Sequence, residues 1–324
     1  MTFIASVVAK KGVALIADSL VTSQLPILHY RQFIDYLESQ PNNDQGDKLI
    51  NPDEIRKLFN SEPAFTKDFE EKLFQLNSFT AITTTGMAYI NGKSISDIIE
   101  TLKLDPDIGI EDIAVPIETK LDQLKEFFNK VIKEHLEVFE YMGYLAFIIT
   151  YYEKHTHKTH IYRAIIYEAS KDTLDDENYD YVSISKEQDW VSVVCDGQNK
   201  ISEKILYGIG RELFAIFKEF VSKIITKVPV PDNFDQDDFV KQLREDEYFH
   251  NIFYGDMELL NLNNLSLQHA VDLACLLMRL EVDFQKYTKN IPTVGGVIKL
   301  AVIDENGFRF LSGDKVEIPK HINY

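Results

Sequence analysis

Basic residues are scarce in this chain. Its 324 residues hold 34 Lys and Arg against 52 Asp and Glu, a formal net charge of −18. Nucleic-acid binding needs a basic face that displaces counterions from phosphates, and no long basic stripe is present, so nucleic acid is not an expected partner. The acidity favours solubility and repels anionic surfaces. Cysteine is scarcer still: Cys195 and Cys275 cannot build a disulfide framework, and both sit in apolar runs that read as core. No run approaches the roughly 18 apolar residues of a membrane span. The N-terminus lacks the charged, apolar and cleavage regions of a signal peptide. Solenoid repeats, phosphate loops, dinucleotide motifs and zinc patterns are missing too. These absences predict a cytoplasmic protein with no membrane partner, no cofactor and no metal.

Two polar clusters have plain readings. His155, His157 and His160 crowd one turn without a carboxylate or cysteine at ligand spacing, and read as a solvated loop. Asp232–Asp238 lacks the sixth-position glycine and closing glutamate of a calcium loop, and reads as a helix cap.

What the chain does have is 45% hydrophobic and 12% aromatic residues, ample for a packed core. Residues 2–9 read as a strand, Lys10-Lys11-Gly12 as a turn and Val13–Ala17 as a second strand. The next expected hairpin is Glu71–Leu76 with Thr80–Thr84. Helices are expected over Met87–Leu104 and Glu118–Tyr141, strands over Tyr144–Tyr152, Ile161–Ala169, Tyr181–Ser185 and Trp190–Cys195. Helices follow over Ile201–Thr226 and Leu265–Tyr287, and Val297–Ile303 with Gly307–Leu311 closes the chain as a hairpin. Segments 24–70 and 227–262 read as insertions, the first with a helix over Ile27–Ser39 and another starting at Asn51-Pro52. Strands segregated from helices predict an α+β fold, with residues 1–324 forming one domain.

The chemistry begins at Thr2. A threonine hydroxyl needs a base beside it, and a free α-amino group, with a pKa of about 7.7–8.0, can accept a proton at neutral pH. If Met1 is removed, Thr2 carries nucleophile and base on one residue. The first hairpin brings Asp18 across from Thr2. Lys72 opens the next hairpin and can pair with Asp18, disfavouring protonation of the amine and stabilising negative charge on the hydroxyl. Gly86 follows a strand and is expected to open a helix, which would make its N–H an oxyanion donor.

The stretch TFIASVVAKKGVALIADSLVT, residues 2–22, resembles the N-terminus of proteasome β subunits and of the related bacterial ATP-dependent peptidase, down to the spacing of sixteen positions from Thr2 to Asp18. KLFQLNSFTAITTTG, residues 72–86, resembles the lysine-to-glycine stretch of that family, and TVGGVIKLAVIDENGFRF, residues 293–310, its closing Gly-Gly hairpin. The resemblance implies a four-layer αββα sandwich of the N-terminal-nucleophile (Ntn) hydrolase type, with two antiparallel sheets between helix layers. It implies a threonine peptidase with Thr2 as nucleophile and base, Asp18 and Lys72 tuning charge, and Gly86 at the oxyanion. Thr22 would hold an extended peptide or protein substrate through its backbone, and Val21, Thr84 and Ala88 would line the first specificity pocket. Homo-oligomers, rings included, and an ATP-dependent unfoldase partner follow by the same analogy.

Departures from the family leave alternatives. Asp196-Gly197-Gln198 stands where the family has Gly-Ser-Gly, and Ile291 and Val294 stand where it has an Asp-x-x-Ser pair that supports the threonine amine. Thr293 or Asp196 is the candidate stand-in. Leu20 replaces an arginine that often follows Asp-Ser. A non-proteolytic amidohydrolase or peptide ligase, or a catalytically silent ring subunit, is therefore the alternative.

Overall fold

The computed structural model describes residues 2–43, 45–105, 108–176, 179–188, 192–207, 264–288 and 292–312, with positions 216, 219, 220, 223, 235, 238 and 262. Nearly all of the expected insertion 227–262, and most of the helix expected to run to Thr226, lie outside these residues.

In chain order the strands are β1 (Phe3–Ala9), β2 (Gly12–Ala17), β3 (Leu20–Ile27), β4 (Asn60–Asp68), β5 (Leu73–Asn77), β6 (Thr80–Gly86), β7 (Tyr89–Ile90) and β8 (Lys93–Ser94). They continue as β9 (Tyr141–Met142), β10 (Leu145–Glu153), β11 (Lys158–Ile166), β12 (Ala169–Ser170), β13 (Val182–Lys186), β14 (Val193–Gly197), β15 (Lys299–Asp304) and β16 (Gly307–Ser312). The helices are α1 (Tyr30–Ser39), α2 (Pro52–Lys57), α3 (Ile95–Leu104), α4 (Ile117–Val138), α5 (Lys200–Tyr207) and α6 (Leu267–Gln285). Among the described residues no helix is long and apolar enough to cross a membrane.

Two five-stranded antiparallel sheets form the centre, one ordered β14-β1-β2-β15-β16 and the other β13-β11-β10-β6-β5. The expected α+β class with two antiparallel sheets is present. β1 is flanked on both edges and covered on both faces, which explains why it is apolar throughout but for Ser6. Its odd residues Phe3, Ala5 and Val7 pack with Ala270, Ala274 and Leu277 of α6. Its even residue Ile4 packs toward Leu73, Ala81 and Ile148 of the other sheet, and Ser6 meets Thr150 there at 3.0 Å. On the far side of the second sheet, Ile98 and Leu102 of α3 and Leu124, Phe128 and Ile132 of α4 cover Phe147, Ile149 and Ala164. The layers thus run helix, sheet, sheet, helix. The period of two in β1 puts Thr2 on the face turned toward the second sheet.

Three local expectations are corrected. Segment 24–70 is not simply helical: it is an arm whose base is the antiparallel ribbon β3–β4, beginning at Leu20 and carrying α1 and α2 between its strands. Consequently Ile27 ends a strand, and the helix starts at Tyr30. Pro26 and Pro63 obscured the ribbon, since proline cannot donate to a ladder and is tolerated on such edge strands. Residues 87–94 are also not helical. They form the β7–β8 hairpin, turned at Asn91-Gly92, where both residues have positive φ. The helix begins only at Ile95, capped by a reciprocal Ser94–Asp97 box.

Candidate active site

Thr2, Asp18 and Lys72 come together between the two sheets, the first two from one sheet and Lys72 from the other. Asp18 follows β2 directly, and its backbone N–H still bonds the Phe3 carbonyl, so the hairpin holds it beside the start of β1. Lys72 precedes β5 and is held against β6 by the Thr84 N–H, 3.0 Å from its carbonyl. All three residues are buried.

The Thr2 hydroxyl donates to Asp18 Oδ1 and accepts from Lys72 Nζ. Lys72 Nζ also lies 3.0 Å from Asp18 Oδ1 and donates to the Leu20 carbonyl at 2.5 Å, which engages all three of its protons. Leu20 contributes through its backbone carbonyl. Asp18 is held from both sides: Phe3 N–H reaches Oδ1 at 3.1 Å and Gly295 N–H reaches Oδ2 at 3.0 Å. Burial lowers the Lys72 pKa below the ordinary lysine value, against the opposing pull of Asp18 and Glu70. A carboxylate thus draws on the hydroxyl proton while an ammonium faces the oxygen, an arrangement that favours negative charge developing there.

The 197–198 turn is built against the same residue. Gln198 N–H donates to the Thr2 carbonyl at 2.5 Å. A side chain at Gly197 would bring its Cβ within 2.0 Å of that carbonyl oxygen and 2.9 Å of Thr85 Oγ1, and Gly197 has φ +87°. Only glycine fits here.

Other expected residues fall less simply. Gly86 ends β6, nine residues before α3, so its N–H stands at a strand end and not at the helix N-terminus expected. Its φ of +106° and an ideal Cβ position 2.3 Å from the Tyr144 carbonyl explain why it is glycine. Thr22 is buried and pairs with Thr66 of β4, so the arm itself occupies one edge of its strand. Val21 lies on β3, Thr84 is buried in β6, and Ala88 follows β6 in the turn before β7. The Thr22 and Thr84 hydroxyls are buried with no hydrogen-bond partner among the described residues.

Of the two candidate stand-ins, Asp196 is tied to Arg163 of β11 and to the Gly197 N–H at 2.6 Å. Thr293 donates its hydroxyl to the Gln198 side-chain oxygen, one step removed from Thr2. The sequence reading missed Gln198 and Gly295 as contacts to the site.

Beside Asp18 and Lys72 lies a small cavity of about 20 Å³, lined also by Ser19, Phe69, Glu70 and Lys299, room for one water. Phe69 has φ +107°, a strained conformation for a bulky residue. It sits where the arm rejoins the core, with its N–H and that of Glu70 both donated to the Ser19 carbonyl at 3.3 and 3.0 Å. Among the described residues no three His, Cys, Asp or Glu side chains gather as a metal site requires.

No protein-family model matches the chain, and no curated protein matches it either. Among solved structures it is similar to Anbu (ancestral beta-subunit) from Yersinia bercovieri, with a TM-score of 0.43 and 10% sequence identity, over 96% of this chain and 88% of that one. The functional reading therefore rests on the site itself.

Proposed function

We propose that the chain is an Ntn hydrolase of the proteasome-like kind, a threonine peptidase acting through Thr2 once Met1 is removed. The observation that carries this reading is the double grip on the Thr2 hydroxyl by Asp18 and Lys72. A purely structural threonine at a strand start needs neither a buried carboxylate nor a buried ammonium, and burying both is costly.

In this reading Thr2 Oγ attacks the carbonyl carbon of a peptide bond, and its proton passes to the freed α-amine. The Lys72 ammonium steadies the oxygen as it loses the proton, and the tetrahedral oxyanion is received by backbone N–H groups near the strand end, Gly86 among them. The C–N bond then breaks, the proton goes to the departing amine, and the acyl group remains as an ester on Thr2. Water adds to the ester, the carboxylic acid leaves, and the hydroxyl regains its proton. Val21, Thr22, Thr84 and Ala88 would contact the substrate. A single-domain fold, a cytoplasmic setting and homo-oligomeric assembly belong to the same proposal.

The test is the intact mass of the purified full chain before and after exposure to a β-lactone, whose ring ester a threonine hydroxyl opens to form one covalent adduct. The expected result is loss of Met1 and a single adduct, absent from Thr2→Ala. Retained Met1 with no adduct overturns the reading, as does an adduct that persists in Thr2→Ala.

A further inference from the structure

The end of α6 is joined by side chains to both segments that flank Thr2 and Asp18. Gln285, in the last turn, is buried although it is an amide. Its Oε1 accepts from the N–H groups of Thr293 and Val294, the latter at 3.1 Å, and lies 3.3 Å from the Thr293 hydroxyl. Its Nε2 donates to the Glu281 carbonyl at 2.9 Å, which fixes which way the amide faces. One turn earlier, Glu281 Oε1 accepts from Ile201 and Ser202 N–H at 3.0 and 2.7 Å, at the start of α5. One helix end therefore holds two separate pieces of chain, 198–202 and 293–295.

Both pieces end on the candidate site. From the first, Gln198 N–H grips the Thr2 carbonyl. From the second, Gly295 N–H grips Asp18 Oδ2 at 3.0 Å, and the Gly295 carbonyl accepts from Ser19 and Leu20 N–H, each at 3.1 Å. The two are cross-linked by the Thr293 hydroxyl on the Gln198 side chain. Here a buried amide uses its acceptor on successive N–H groups immediately before the glycine that holds the carboxylate.

We propose that Gln285 is a positioning residue for Thr2 chemistry. Through Thr293 and Gly295 it sets where the Asp18 carboxylate and the Thr2 backbone stand relative to one another, without touching either. The inference rests on the peptidase reading and says what aligns the nucleophile in a chain where Ile291 and Val294 occupy the family's supporting positions.

The experiment measures β-lactone acylation of Thr2 on the full chain by intact mass, across lactone concentrations, so that the maximal rate separates from the half-saturating concentration. Two variants are used. Gln285→Met keeps length and volume but makes no hydrogen bonds, and Thr293→Val removes the hydroxyl, with its tie to Gln198 and its 3.3 Å contact to Gln285, while the Thr293 N–H bond to Gln285 stays. Misplacing a reacting group by ~1 Å costs on the order of 100-fold, so Gln285→Met is expected to lose about 30- to 100-fold in maximal rate at unchanged half-saturation. Thr293→Val is expected to lose about tenfold, and the double variant to be no slower than Gln285→Met, because both act through one path. A structural role alone lowers the melting temperature but leaves the maximal rate intact at temperatures where the variant is folded. Wild-type maximal rates in folded Gln285→Met or in Thr293→Val, or losses that multiply in the double variant, overturn the inference and leave the peptidase reading standing. No adduct on the wild-type chain overturns both.

Discussion

Lys72 has a side chain only 9% exposed, and its sole carboxylate partner at hydrogen-bond distance among the described residues, Asp18, is fully buried in its side chain. Asp18→Asn keeps the shape and removes the charge. It leaves the ammonium buried against two neutral acceptors, Thr2 Oγ1 and the Leu20 carbonyl. It also turns an amide group toward either the Gly295 N–H or the Phe3 N–H, which the carboxylate now accepts. Removing one member of a buried pair costs about 3–5 kcal/mol. At roughly 2 °C per kcal/mol for a chain of this size, the melting temperature is expected to fall by about 6–10 °C. Lys72→Met in the same background removes the stranded charge, so the double variant should recover at least half of that loss, because an apolar replacement of a whole buried pair is often neutral. The assay is thermal and urea unfolding followed by circular dichroism for the four members of the cycle. The dependence on pH adds a second reading. With its folded pKa lowered, Lys72 has released a proton that the unfolded chain still binds in the alkaline range below the ordinary lysine value, so stability rises with pH across that window. Asp18→Asn removes an opposing pull and should steepen the rise. A loss under about 1 kcal/mol, with single-variant effects that simply add, would refute the claim that these two charges hold one another.

Two other outcomes are accessible to the same methods. Burial raises the pKa of Glu281 despite the N–H groups of Ile201 and Ser202. The folded chain therefore holds a proton that the unfolded chain has lost above the ordinary carboxylate range, and stability falls as pH rises through that window; Glu281→Gln, which keeps an acceptor, should flatten this decline and melt no lower than wild type at neutral pH. Gly197→Ala meets both a positive φ and the Thr2 carbonyl at 2.0 Å, and should destabilise the chain by more than about 2 kcal/mol; an unchanged urea midpoint would mean that the turn does not rest on Thr2.

How much was legible in the sequence depended on the range of the interaction. The β1–β2 hairpin could be read from two apolar runs and a Lys-Lys-Gly turn, because its partners are adjacent in sequence and the pairing is dictated locally. That hairpin alone brought Asp18 to Thr2, and the next one brought in Lys72. The β3–β4 ribbon was hidden, since its strands are mixed in polarity and each contains a proline. The β7–β8 hairpin was readable but overlooked: Asn91-Gly92 is among the strongest short-range turn signals, and the helical pattern of Ile95–Leu104 was extended over it. Contacts such as Gly295 to Asp18, 277 residues apart, and Thr293 to Gln198, 95 apart, leave no periodic trace. They depend on which strands, distant in sequence, lie near one another in the first sheet, and no local pattern encodes that.

The arm from Leu20 to Asp68 leaves the core two residues after Asp18 and returns four residues before Lys72. Those two side chains, 54 positions apart, meet at 3.0 Å. The excursion is therefore a loop buttoned at its neck by the very charges that face Thr2. Lengthening a flexible tip beyond such a neck is thermodynamically mild, about 0.6 kcal/mol for each doubling of loop length. The tip is free to diverge, shrink or be grafted, while the neck is not: any force that spreads it pulls Asp18 from Lys72 and loosens the hydroxyl between them.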